Sequence, residues 1–407
     1  MLRVVEQLAG YAVPATAWES LVLPARVAGY QPAWLDELTT AGEVVWTGQG
    51  ALPGTDGWIS LHVADTAQLT VPDPLDTPES PVHAALLAAL DGGGAYFFRA
   101  LADGVRSHGD DLATVTDSEI VTALWDLAWG GLVTNDTLAP LRALVSGRGR
   151  AARTGGRPRS RYSRARAAGM RAAPPTAAGR WSLVPEASTD TTRRAHAAAE
   201  ALLQRHGIVT RGAVVSERVP GGFAAAYRVL GAFEESGRAR RGYFVAGLGA
   251  AQFATPGAVD RLRTVADPVA DASGGHTRPA DRRADGPRAL VLAATDPGNP
   301  YGAALPWPER DGSAHRPGRK AGALVVLVDG DLALYVERGG RTLLSWTDDP
   351  TTLQAVADAL ALAVREGALG ALRIERADGD DIVTTPLGTA LAEAGFHITP
   401  RGLRLRR

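Results

Sequence analysis

The sequence predicts an α+β protein: tandem winged-helix modules followed by a small C-terminal β-barrel or α+β domain. Three observations predict it. A chain of 407 residues exceeds one ordinary core, so several domains of roughly 100 to 150 residues are expected. One grammar then recurs three times: shorter helical segments, a longer apolar-periodic helix, a glycine after its last turn, and a β-prone run. Helix, helix, helix, hairpin is the order of a winged helix. After residue 288 the pattern changes to alternating apolar runs separated by D-G and G-G, as in an antiparallel meander.

The first module is assigned to residues 1–75, where "ATAWESLVLPARV" precedes the helix-and-strand run "PAWLDELTTAGEVVWTGQG" and the second strand "GWISLHV". The second, 76–146, reads "SPVHAALLAALD", "AYFFRALADGV" and "DSEIVTALWDLAWGGLVTND". The third, 181–266, carries "TRRAHAAAEALLQRHG", "TRGAVVSERV" and "GGFAAAYRVLGAFEESGRARRGYFVAGL". Within it Phe223, Tyr227, Leu230 and Phe233 share one helical face and are expected in the core. Residues 147–180 read as an arginine-rich linker, and "DPVADASGGHTRPADRRADGP", 267–287, as a second, flexible one. The last domain, 288–407, opens on the strand "RALVLAATD" and turns at Asp329-Gly330 and Gly339-Gly340. A helix follows in "DPTTLQAVADALALAVREG", with Asp349 as N-cap, Pro350 in the first turn and Gly367 as its stop. "LRIERAD", "TPLGTALAEAGF" and "RGLRLRR" complete the domain as strand, helix and strand.

Composition removes whole classes of chemistry. With 45% hydrophobic and 21% charged residues the chain is globular rather than disordered. No run approaches the roughly 18 apolar residues of a membrane span, and the N-terminus lacks a basic-then-apolar signal, so a cytoplasmic protein without membrane contact is expected. The absence of cysteine excludes disulfides, thiolate zinc sites and cysteine nucleophiles. The 8 histidines are scattered without ligand spacing, so no metal site is expected. Lys320 is the only lysine, and "HRPGRKAGAL" around it does not match a Walker A loop, whose lysine must meet nucleotide phosphates. No cofactor is expected for this chain.

Charge then separates the modules. The third helix of module one carries Asp36 and Glu37, and that of module two Asp117, Glu119 and Asp126, without a basic residue on either. Such helices are repelled by a phosphate-lined groove, so these two modules read as structural. Trp34, Trp125 and Trp129 would suit interface anchors, but burial in the module cores is the better expectation. In module three, Arg228 lies off the apolar stripe, and Arg238, Arg240 and Arg241 lead into the wing. Between Gly147 and Arg180 stand ten arginines without a carboxylate. Arg148, Arg150, Arg153, Arg157, Arg159, Arg161, Arg164 and Arg166 are assigned with the four of module three as nucleic-acid contacts, through phosphate rather than base edges. Gln252 reads as a structural amide, and the cluster Asp296, Asn299 and Tyr301 in "AATDPGNPYGAALPWP" as turn chemistry.

"QLAGYAVPATAWESLVLPARVAGYQPAWLDELTTAGEVVWTGQG", the run from "HGIVTRGAVVSERV" to "AVDRLR", and "AATDPGNPYGAALPWP" resemble the C-terminal region of the Lhr, or large helicase-related, proteins of bacteria. The resemblance spans nearly the whole chain. It implies a DNA-repair helicase whose superfamily 2 ATPase core lies N-terminal to this region and alone would use ATP and Mg. It implies further that tandem winged helices and a β-barrel assemble a homotetramer and engage single-stranded or duplex DNA. The Lhr C-terminal region is also similar to AlkZ-type DNA glycosylases, so base excision is the alternative function. Their glutamine-centred motif has no counterpart here, which puts a catalytic role in doubt and leaves any catalytic residue unassigned.

Overall fold

A computed structural model of the chain describes residues 1–147, 173–249, 251–265, 286–309 and 315–406. They divide into two compact units, one of Met1–Glu19 with Arg26–Ala197, the other of Ser20–Ala25 with Ala198–Arg407.

The first unit holds two winged helices. In the first, α1 (Leu2–Gln7), β1 (Val13–Pro14) and α2 (Ala15–Ala17) are followed by a π-helical turn, Trp18–Val22. Then come α3 (Pro32–Thr40), β2 (Val44–Ala51) and β3 (Gly57–Val63), in a sheet of order β1-β3-β2. A proline in the first turn starts α3, and Gly42 at φ 74 ends it, since that φ suits a residue without Cβ. After α4 (Ala67–Thr70), the second winged helix runs α5 (Pro81–Leu90), β4 (Tyr96–Phe97), α6 (Phe98–Ser107), α7 (Asp117–Trp129) and β5 (Val133–Asn135). It continues through α8 (Ala139–Val145) and closes with β6 (Arg180–Leu183).

That last strand changes the place of the arginine-rich stretch. β6 pairs antiparallel with both β4 and β5, so the sheet order is β4-β6-β5 and Arg180–Leu183 belongs to the second module. Ahead of it, the Thr176 carbonyl accepts from Trp125 Nε1 at 2.8 Å and the Ala178 carbonyl accepts from Asn135 Nδ2 at 2.9 Å. The stretch expected to link modules two and three is thus bracketed in the chain by elements of one module. Composition cannot separate the two cases, because an insertion in a wing and an interdomain tether both favour Gly, Pro and charge.

The two modules share a tryptophan-rich core. Trp125 stands 6.3 Å from Trp46, 5.2 Å from Trp129 and 5.5 Å from Trp181, centroid to centroid. Trp125 and Trp129 are buried, while Trp34 is 37% exposed. Two glycines permit the approach: a Cβ on Gly48 would lie 2.0 Å from the Ala128 carbonyl oxygen, and one on Gly57 2.5 Å from the Trp129 ring. Across the same seam Trp46 Nε1 donates to the Asn135 carbonyl at 3.1 Å, and Thr134 Oγ1 to the Trp46 carbonyl at 2.7 Å.

In the second unit, α9 (Thr191–His206, entering from the first unit), β7 (Ile208–Val209), α10 (Arg211–Ser216) and α11 (Gly222–Glu235) form the third winged helix. Its wing strands β8 (Arg240–Gly242) and β9 (Gln252–Ala254) give the order β7-β9-β8, and α12 (Pro256–Val265) follows. Leu202, Val209, Val214, Leu230, Phe233 and Phe253 pack its core.

The terminal domain is α+β. Strands β10 (Ala289–Ala293), β11 (Leu324–Val328), β12 (Asp331–Val336) and β13 (Thr342–Ser345) form an antiparallel meander. Helix α13 (Pro350–Arg365) starts on Asp349, whose carboxylate accepts from the Thr352 amide at 2.8 Å. β14 (Leu372–Ile374), β15 (Arg376–Ala377), β16 (Asp380–Asp381), α14 (Pro386–Glu393), β17 (His397–Thr399) and β18 (Gly402–Leu405) complete it. The larger sheet has the order β10-β11-β12-β13-β15-β16 and the smaller β14-β18-β17. Among the described residues β10 and β16 do not pair, so the sheet stays open and the expected barrel is not seen. The meander buries both faces: Val326, Leu334 and Val336 meet α13, while Val325, Tyr335 and Leu344 meet the loop carrying Tyr301 and Trp307. No helix among the described residues is long and apolar enough to cross a membrane.

Candidate nucleic-acid interface

The third module holds its helix-turn-helix by a buried charge cluster. Arg205 Nη2 lies 2.9 Å from Glu217 Oε2, and His206 Nε2 lies 2.5 Å from Glu217 Oε1, with all three side chains under a tenth exposed. Burial pushes the Glu217 carboxyl up, but the Arg205 charge and the His206 hydrogen bond outweigh it and leave the carboxyl below its usual range. The cluster ties the end of α9 to the turn between α10 and α11. Helix α11 then leaves that turn on Gly221 and Gly222, at φ 73 and 61, where a Cβ would be strained.

The apolar stripe of α11 does two jobs. Leu230 and Phe233 are buried as expected, but Phe223 and Tyr227 are only half-buried. With Val215, which is 60% exposed, they line a groove of about 620 Å³ flanked by Arg211 and Arg228. The helical period alone could not divide the stripe, because tertiary packing decides which end is covered.

The structure separates the four arginines assigned to this module. Arg238 lies 2.5 Å from Glu200 and stacks its guanidinium 4.3 Å from the centre of the Phe233 ring. Arg241 lies 3.2 Å from Glu234 and donates to the Tyr227 hydroxyl at 2.6 Å. Arg228 and Arg240 are exposed and have no side-chain ion pair or hydrogen bond among the described residues. Arg211 and Arg218 are in the same position, and charge-run reasoning passed over them because each stands singly in the sequence. Their signal was position, at the two ends of the short helix that precedes α11. The other eight, Arg148, Arg150, Arg153, Arg157, Arg159, Arg161, Arg164 and Arg166, lie outside the described residues.

Gln252 staples the wing. Its Oε1 accepts from the Phe244 and Val245 amides at 3.1 and 2.9 Å, and its Nε2 donates to the Val245 and Gly249 carbonyls at 2.8 and 3.0 Å. All four hydrogen-bonding capacities of the amide are used, so Gln252 is structural. The wing it holds presents Tyr243, 77% exposed, beside Arg240 and Arg241.

The acidic helices of the first unit engage most of their carboxylates with partners. Arg142 of α8 donates to Glu19 at 2.5 and 2.9 Å and to Asp36 at 2.6 and 3.1 Å, while the Leu138 amide donates to Asp36 at 2.9 Å. Asp117 lies 2.6 Å from Arg106 and 2.8 Å from Arg99; the hydrogen bond from Arg106, with that from Arg99, holds its carboxyl below the usual range. Glu119 closes a capping box with Thr116, and Asp126 lies 3.4 Å from His83. Glu37 alone of these acids is exposed without a side-chain partner among the described residues.

Two polar clusters outside the wing are also internally satisfied. Arg319 donates to the carbonyls of Thr295, Asp296, Asn299 and Tyr301 at 2.7–3.3 Å, and Asp296 accepts from the Gly298 amide at 2.6 Å. Asn299 donates to the Ala294 carbonyl at 2.9 Å, and Tyr301 Oη accepts from the Leu332 amide at 3.2 Å, so this loop is turn chemistry built around one guanidinium. In the first module His62 is buried among Thr47, Ser60 and Thr70, with contacts of 3.0, 2.8 and 2.9 Å, and burial pushes its pKa down to about 3.

Models of the large helicase-related protein's winged-helix domains match residues 1–64, as the third such domain, and 188–274, as the fourth. The chain is 49% identical over 419 aligned positions to the "Lhr helicase/ probable uracil glycosylase" of Mycolicibacterium smegmatis, covering 100% of this chain and 26% of that protein. It is 38% identical over 416 positions to the "Lhr helicase/uracil glycosylase" of Escherichia coli, covering 99% and 26%. The chain thus spans about a quarter of the length of the curated relatives it matches. With winged helices found at both matched segments, the chain belongs to the large helicase-related family and corresponds to its C-terminal, winged-helix-bearing region.

Proposed function

We propose that this region is a non-catalytic part of an Lhr-type, ATP-dependent DNA-repair helicase that mediates homo-oligomerisation, as a homotetramer, and contributes DNA contacts beside an N-terminal helicase core. One observation supports the DNA part: the acids of the third helices of the first two modules, Glu37 apart, have side-chain partners within the protein, whereas Arg211, Arg218, Arg228 and Arg240 of the third module have none among the described residues. Unpaired, solvated guanidinium groups gain from phosphate through counterion release without first breaking an internal ion pair. The arginine-rich stretch adds nine further positive charges ahead of β6 in the chain, the tenth, Arg180, lying in β6 and pairing with Asp136. Holding several motors together raises their effective concentration on one substrate, which is the use of self-association here.

The names of the two relatives favour a second reading, removal of uracil from DNA. That chemistry needs a carboxylate or amide to hold a water against the sugar carbon, beside a pocket for an extruded base. Gln252 has no capacity left for it, and Asp296 is 0% exposed. Incubation of the chain with a uracil-containing duplex, followed by alkali, separates the readings: strand breaks above background support excision, and their absence with salt-sensitive binding supports a scaffold. Light scattering tests the self-association; a monomer at working concentrations refutes it.

A further inference from the structure

We propose that the groove between α10 and α11 takes an unpaired base of single-stranded DNA, with the flanking phosphates on Arg211 and Arg228. This rests on the DNA-contact reading above and narrows it from any polyanion to a strand whose bases are free. The volume of about 620 Å³ falls in the range of small-molecule sites, roughly 300–1,000 Å³, and is ample for a base with its sugar. Its walls are apolar: Val215 on α10, and Phe223 and Tyr227 on α11. The rings are already ordered, since Phe223 stands 6.0 Å from Tyr227, and Tyr227 stands 5.4 Å from Phe253, both edge to face. A ring fixed in advance loses little side-chain freedom when a base stacks on it.

Charge selects the occupant. No acidic residue lines the groove, Arg211 and Arg228 flank it without a side-chain partner among the described residues, and Glu234 on the same helix is paired with Arg241. An apolar slot between unpaired cations matches the alternation of base and phosphate along a single strand. In a duplex the base faces are already stacked on one another, so the rings of the groove have nothing to receive.

The test compares two short oligonucleotides of equal length and charge by fluorescence anisotropy with the full chain: oligothymidylate, and the same backbone carrying abasic tetrahydrofuran units. Roughly tenfold tighter binding of thymidylate is expected. Val215→Glu, a change at an exposed wall position, should remove that preference with the thermal unfolding curve unchanged. Equal affinity for both oligonucleotides overturns the base site and leaves the DNA-contact reading standing. A thymidylate preference that survives Val215→Glu places the base elsewhere and also overturns it. No binding of either overturns the DNA-contact reading itself. If Val215→Glu leaves thymidylate binding unchanged but lowers the mass by light scattering, a second copy of the chain covers the groove and the proposal fails.

Discussion

Replacing Arg142 by methionine should destabilise the first unit by about 3 kcal/mol. The guanidinium makes four charged hydrogen bonds at 2.5–3.1 Å, two to each of Glu19 and Asp36. A hydrogen bond to a charged group contributes about 1.5–3 kcal/mol, so a naive sum exceeds 6 kcal/mol. Two corrections lower it. The bonds share one cation and are not additive, and the side chains of Arg142, Glu19 and Asp36 are 30%, 17% and 28% exposed, so water recovers part of the lost solvation. What remains is mainly the cost of two carboxylates left facing each other without a cation. Adding Glu19→Gln and Asp36→Asn to Arg142→Met removes that repulsion and should recover about half of the loss. Urea unfolding followed by tryptophan fluorescence reads this directly, because Trp46, Trp125, Trp129 and Trp181 form one cluster in this unit. A loss below about 0.5 kcal/mol for Arg142→Met, or a triple variant no more stable than the single, would show that the acids are not held by this clamp.

Two further outcomes are expected. His62 is buried neutral, with a pKa near 3 against 6.5 when unfolded, so the unfolded chain binds the proton first; its stabilising effect is complete above pH 6.5 and is lost as pH falls toward 3. At pH 5 that loss is about 2 kcal/mol, and His62→Gln, which does not titrate, should lack it; parallel pH profiles of the two proteins in urea melts would refute the assignment. Gln252→Ala should leave the amides of Phe244 and Val245 without their acceptor and speed their hydrogen exchange at least tenfold, with the exchange of α11 unchanged.

The local parts of the fold were legible in the sequence. Asp329-Gly330 and Gly339-Gly340 do form the meander's turns, with φ of 52, 98, 87 and 79, and Asp349, Pro350 and Gly367 bound α13 as cap, first-turn proline and stop. Such signals act within four or five residues and need no tertiary context. The strands that complete each winged sheet were not legible: β1, β4 and β7 are two residues long, and β6 lies some 45 residues after its partner β5, so pairing across the module defines them. The cluster of arginines in the third module was legible as a cluster, but not its division. Arg238 and Arg241 look like Arg240 in "RARRG", and only the positions of Glu200, Glu234 and the Phe233 ring show which guanidinium groups are already engaged.

We propose that unpaired arginines of the third module meet phosphate while the acidic helices of the first two modules do not. The most direct test of this is the salt dependence of oligothymidylate binding by the native chain and by a variant with Arg211, Arg218, Arg228 and Arg240 all changed to glutamine. Each phosphate contact on a single strand contributes about 0.7 to the slope of log affinity against log salt, so the slope should fall by about 3. A slope unchanged by the four substitutions would contradict it.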